Sequence, residues 1–162
     1  MNALIVAIAL AQATSPAPAA PARPEIAAEL QRGVTAYNAQ DIAYYQTSLA
    51  PDAVYIADDG ATFVGRERVV GLFTRVFART PKPRIEVSNV VTGGRGNFGW
   101  ARFNWTLSDI EKARPGIATA IFTRGGGGWQ VLSIQNTPVA HPSRPGRPAG
   151  ASMPPAPGHQ HR

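Results

Sequence analysis

The chain has 162 residues, no cysteine and a formal charge of +6. That length suits one domain, and the missing cysteine excludes a disulfide framework and cysteine-ligated zinc or iron–sulfur sites. The charge does not point to a polyanion, because residues 25–140 carry 12 basic and 10 acidic side chains and the rest of the +6 comes from Arg23, Arg144, Arg147 and Arg162. A nearly balanced core predicts no nucleic-acid partner. All 13 aromatics fall between Tyr37 and Trp129, whereas 11 of the 15 prolines lie before residue 25 or after residue 137. One aromatic-bearing core is therefore expected between two proline-rich tails.

In chain order, Ala3–Ala11 is an apolar run too short to span a bilayer as a helix, so no transmembrane segment is expected. Ala11-Gln12-Ala13 follows it as a small-residue cleavage site. Residues 1–13 thus read as a secretory signal peptide, without the usual basic residue at the start, and place the protein in the periplasm or outside the cell. Residues 14–24 form a Pro/Ala-rich linker. Pro24 and Glu25 suit a first helical turn, and Ile26, Leu30, Val34 and Tyr37 then line one helical face. Asp41 is placed to cap a short second helix with Ile42, Tyr45 and Leu49 inward, ended by Pro51-Asp52. Ala53–Ala57 and Thr62–Val64 flank the turn Asp58-Asp59-Gly60. Val69, Phe73 and Phe77 mark a third helix that Thr80-Pro81-Lys82-Pro83 must stop.

The period then changes to two. Strands are expected at 84–92, 98–107, 117–124 and 129–136, with a polar loop containing Pro115-Gly116 between the second and third. The glycines at 93–96 and 125–128 join strand to strand, so they are hairpin turns rather than phosphate loops. Three helices followed by four long antiparallel strands make an α+β domain over residues 25–140, and 141–162 is a disordered Pro/Arg/His tail.

All three histidines, His141, His159 and His161, lie in that tail. The core therefore has no imidazole to act as base, acid or metal ligand, and no metal or other cofactor is expected. Asp58 and Asp59 sit beside Gly60, where such side chains stabilise turns. None of the core carboxylates forms a recognisable acid/base pair in the sequence.

Ala-Tyr-Asn-Ala-Gln-Asp (36–41), Ala-Pro-Asp-Ala-Val-Tyr (50–55), Asp-Asp-Gly (58–60), Phe-Val-Gly-Arg-Glu (63–67) and Gly-Gly-Trp-Gln-Val-Leu (127–132) occur in one order. Together they resemble the SnoaL-like branch of the nuclear transport factor 2-like superfamily. The resemblance spans about residues 25–137. It implies a cone-shaped, cystatin-like fold in which three N-terminal helices pack on a curved antiparallel sheet around a pocket. It also implies a homodimer formed through the outer sheet face. In the SnoaL-like pattern the last strand carries a histidine after the tryptophan. Here that stretch is Ser133-Ile134-Gln135-Asn136, so the resemblance carries no acid/base reaction across.

On that fold the expected pocket residues are Tyr37, Tyr45, Tyr55, Phe103, Trp105, Ser133 and Gln135, the last two by sharing the parity of Trp129 and Val131. Trp100, Arg102 and Asn104 have the opposite parity on their strand and are expected at the dimer face. Three functions stay open. A binding protein for a small apolar molecule needs an enclosed apolar pocket. An isomerase- or dehydratase-like enzyme needs a carboxylate beside a tyrosine, with Asp58 and Tyr55 as candidates. A dimerisation module needs only a filled interior. A pocket below about 100 Å³ would count against the first two.

Overall fold

A computed structural model of the chain describes residues 22–108 and 113–139. The expected signal peptide, Asp109, Glu111 and the three histidines lie outside the described residues. The elements are α1 (Pro24–Ala39), α2 (Ile42–Ser48), β1 (Leu49–Ile56), β2 (Thr62–Val64), α3 (Arg66–Phe77), β3 (Arg84–Arg95), β4 (Phe98–Ser108), β5 (Arg114–Gly125) and β6 (Gly128–Pro138).

Local chemistry explains most of the boundaries. Pro24 opens α1, where its missing N–H is not needed, and Glu25 faces the positive end of the helix dipole. Gln40 ends α1 in the left-handed region at φ 55°, returning its N–H to Ala36 and Tyr37. Asp41 then accepts from the Tyr44 N–H at 3.2 Å and starts α2. The α2 helix stops at Ser48, earlier than expected. Pro51 and Asp52 are exposed residues of β1, at an irregularity in its pairing between Leu49 and Val54. A residue without an N–H is tolerated where the ladder is already interrupted.

The sheet has six strands in the order β2-β1-β6-β5-β4-β3. It is mixed rather than antiparallel, because β1 and β6 run parallel while every other pair is antiparallel. The β1–β2 hairpin would otherwise leave β1 with an unpaired edge, and β6 would leave another. Joining them satisfies both. Pro115 and Gly116 also lie inside β5, opposite Thr106 and Trp105, instead of in a loop.

The inner faces of β4 and β5 interlock large against small: Phe103 opposes Ala118, Ala101 opposes Ala120, and Trp105 opposes Gly116. Apart from Gly116, these residues form one buried cluster with Phe122 and with Ile26 of α1. A second joins the helices to β1 through Ala36, Tyr45, Leu49, Val69, Phe73 and Phe77. Asn38 ties α1 to β3 as a strand residue would. Its Nδ2 donates to the Ile85 carbonyl at 2.9 Å and its Oδ1 accepts from the Ile85 N–H at 2.8 Å. Between the two clusters the packing is incomplete.

Candidate functional site

Three neighbouring chambers with shared lining side chains lie between helices and sheet. The innermost, about 90 Å³, is walled by Leu30, Tyr45, Phe73, Phe103, Phe122, Val131 and other apolar side chains. A second, about 150 Å³, is bordered by Asp58, Asp59, Arg79 and Arg114. The third, about 50 Å³, reaches Trp105, Leu107 and Asn136. Tyr37 and Tyr55 line all three. The innermost and the third chamber each fall below the 100 Å³ mark, and none of the three matches the roughly 300 Å³ of a drug-sized pocket. The interior is nevertheless not filled, and its chambers share two tyrosines.

Phe73 organises the aromatic wall. Its ring centroid lies 4.5 Å from Tyr45, 5.3 Å from Tyr55 and 6.2 Å from Tyr37. The Tyr45 hydroxyl donates to the Gly33 carbonyl at 2.9 Å, so this ring is pinned to α1. Burial pushes the Tyr44, Tyr45 and Tyr55 hydroxyls well above the usual tyrosine range. At Tyr55 the neighbouring Tyr37 and Asp58 add to that push, and a hydrogen bond from Asn136 opposes it. All three therefore stay protonated near neutral pH and serve as donors rather than bases.

The four aromatic candidates Tyr37, Tyr45, Tyr55 and Phe103 meet on the innermost chamber, and Trp105 walls the small one. Ser133 and Gln135 do not join them. The pairing of β5 with β6 steps from Phe122–Val131 to Ile121–Ser133, leaving Leu132 as an extra residue on β6. A bulge reverses the alternation of every side chain beyond it. Ile134 and Asn136 consequently face the chambers, and Gln135 is exposed.

Asp58 and Asp59 also separate. Asp59 stabilises the turn, accepting from the Ala61 N–H at 2.9 Å. Asp58 instead accepts from Arg114 Nη1 at 2.5 Å across the second chamber. Its carboxylate is thus paired with a guanidinium rather than presented to Tyr55 as a base.

One carboxylate is on the wall without having been expected there. Glu29 is 5 % exposed and lines the innermost chamber. Its Oε1 accepts from the Tyr44 hydroxyl at 2.8 Å, and its Oε2 accepts from Arg32. Position 29 lies three residues after Ile26 and one before Leu30, on the buried stripe of α1. That spacing was the available signal.

On the opposite face of β4, Arg102 is exposed while Trp100 and Asn104 are half-buried. Trp100 lies flat on Gly93 of β3, where a Cβ would stand 2.6 Å from its Cζ2. Val91 and Phe98, 51 % and 47 % exposed, lie on the same two strands. No group of three or more potential metal-ligating side chains occurs among the described residues. No helix among them is long and apolar enough to cross a membrane.

Residues 30–134 match the SnoaL-like domain. The chain belongs to that family. Among curated proteins none matches the SnoaL-like chain. Solved structures agree on the fold. An uncharacterised cystatin-like protein from Caulobacter vibrioides superposes with TM-score 0.65 at 17% identity, over 72% of this chain and 89% of that one. A proposed dehydratase of the NTF2-like family from Streptomyces avermitilis gives 0.66 at 15% identity, over 73% and 96%. An NTF2-like protein of unknown function from Pseudomonas putida KT2440 gives 0.65 at 21% identity, over 70% and 84%.

Proposed function

We propose that this SnoaL-like domain binds a small apolar molecule of one or two rings in the space between its helices and its sheet. The observation that carries the reading is the set of neighbouring chambers that share Tyr37 and Tyr55 as wall, with an apolar inner lining and a polar border at Asp58 and Arg114. Apolar cavities of ~150 Å³ accept benzene, so chambers of this size suit a compact ligand rather than a drug-sized one. Isothermal titration with indane tests it. Saturable one-to-one binding with a negative heat-capacity change is expected. No heat up to the solubility limit of indane, at several temperatures, contradicts it.

A second reading is favoured by Glu29, a buried carboxylate hydrogen-bonded to a tyrosine on the chamber wall. In this reading the domain removes a proton next to a carbonyl, with Glu29 as base in place of Asp58. Incubation with 1-indanone in deuterated buffer, read by mass spectrometry, should show faster deuterium uptake than buffer alone, abolished in Glu29→Gln. Equal uptake with and without protein removes this reading. The proposal also includes export through residues 1–13 and a homodimer through the Trp100 face. Detection of intact Met1 in cytoplasmic protein would contradict the export.

A further inference from the structure

Two neighbouring hairpins end side by side, and their tips are built alike. The β3–β4 turn reads Arg95-Gly96-Asn97-Phe98, with Arg95 and Phe98 paired across it. The β5–β6 turn passes from Arg124 through glycines 125–128 to Trp129, and Arg124 and Trp129 are again register partners. The Arg124 N–H donates to the Asn97 carbonyl at 2.9 Å and ties one tip to the other. Each tip thus sets a guanidinium beside an aromatic ring. Arg124 Cζ lies 5.8 Å from the Trp129 ring centroid, and Phe98, 47 % exposed, accompanies the exposed Arg95. Arg23 joins them, donating from Nη2 to the Gly96 carbonyl at 3.2 Å, with its Cζ 5.3 Å from the same Trp129 ring. Carboxylates are sparse here. β4, β5 and β6 hold no Asp or Glu, Glu86 of β3 stands nine residues before Arg95, and Glu25 is paired with Arg23 at 2.6 Å.

We propose that the paired tips dock on an anionic membrane surface, with Arg95 and Arg124 against lipid phosphates and Phe98 and Trp129 at the headgroup level. A guanidinium presents a planar fork of donors that matches phosphate oxygens. Amphipathic aromatic rings favour the boundary between headgroups and acyl chains. Apolar burial and attraction to anionic lipid add, so a tip that offers both binds better than either feature alone. The course of the chain agrees with this placement. The apolar run 3–11 is followed by the linker, which enters the domain at Arg23, beside both tips. The inference is independent of the ligand chambers. It rests on the export reading only for the membrane that the domain meets.

The test sediments the full chain at low salt with vesicles of phosphatidylcholine, or of phosphatidylcholine mixed with phosphatidylglycerol. The mixed vesicles should bind it more tightly. One arginine near an anionic surface is worth about 5-fold in binding, so Arg95→Gln with Arg124→Gln should weaken binding to the mixed vesicles about 30-fold. Arg68→Gln with Arg75→Gln removes the same charge from exposed positions of α3, which packs on β1 and β2 at the other edge of the sheet. That pair should weaken binding less than about 3-fold, as an effect of net charge alone. Brominated acyl chains should quench the tryptophan fluorescence of bound protein, and Trp129→Phe should remove most of the quenching. If that variant does not fold, the two arginine pairs still decide. Equal binding to both kinds of vesicle, binding to neither, or equal losses from the two double variants would overturn the proposal.

Discussion

Glu29 offers a quantitative test of how the interior is held, because one carboxylate carries two hydrogen bonds of opposite exposure. The side chain of Glu29 is 6 % exposed and that of Arg32 is 60 % exposed, whereas Tyr44 meets Glu29 on the chamber side. Replacing Tyr44 by phenylalanine keeps the ring edge-on to Tyr45, 5.3 Å away, and deletes only the donor. A hydrogen bond to a buried charge contributes about 1.5–3 kcal/mol, so Tyr44→Phe should cost about that much. Arg32→Ala removes a partner whose charge is largely in water, and should cost about 0–1 kcal/mol. In a Glu29→Gln background the acceptor is neutral, and Tyr44→Phe should then cost only about 0.5–1.5 kcal/mol. Urea unfolding followed by tryptophan fluorescence measures the wild type, the three single variants and the double variant. If Arg32→Ala costs more than Tyr44→Phe, or if Tyr44→Phe costs under about 0.5 kcal/mol, the carboxylate is not held as the structure has it.

Three further outcomes follow from particular contacts. Gly116→Ala drives a methyl into the Trp105 indole and toward the Thr137 carbonyl, and should cost about 1–3 kcal/mol in urea unfolding; a neutral result would show that the indole is free to move. The raised tyrosine hydroxyls make the fold sensitive to alkali. Unfolded tyrosines ionise near pH ~10 while these three stay protonated, so their stabilisation is complete below that pH and declines above it, by up to about 1.4 kcal/mol per pH unit for each. Thermal unfolding from pH 8 to 11.5 should show the decline, and Tyr45→Phe should make it shallower; a flat profile would contradict the burial. Trp100→Glu should convert a dimer into a monomer in native mass spectrometry, and an unchanged mass would place any self-association elsewhere.

The parts of the fold that were legible in the sequence are those with an uninterrupted period. Ile26, Leu30, Val34 and Tyr37 marked α1, and the alternation of Ala101, Phe103 and Trp105 marked both β4 and its inner face. The β6 bulge was not legible. It lies at Leu132, with no glycine or proline at the step, and is set by pairing with Phe122 and Ile121 on another strand. One inserted residue therefore exchanged Ser133 and Gln135 for Ile134 and Asn136. The parallel pairing of β1 with β6 was equally hidden, since it joins segments separated by about half of the chain. Glu29 was missed for a different reason. A charged side chain within a helical stripe reads as solvent-facing until a partner such as Tyr44, from the next helix, is seen to satisfy it.

A ligand in the space between helices and sheet must perturb the side chains that wall it. Methyl-labelled protein titrated with indane tests it most directly. Ile85, Ile134 and Val131 line the chambers, while Ile117 and Ile121, half-buried, alternate with the inward Ala118, Ala120 and Phe122 of β5 and face outward. The methyl signals of the first three residues should shift in a saturable way, and those of the other two should not. Shifts confined to Ile117 and Ile121, or none at all, would contradict it.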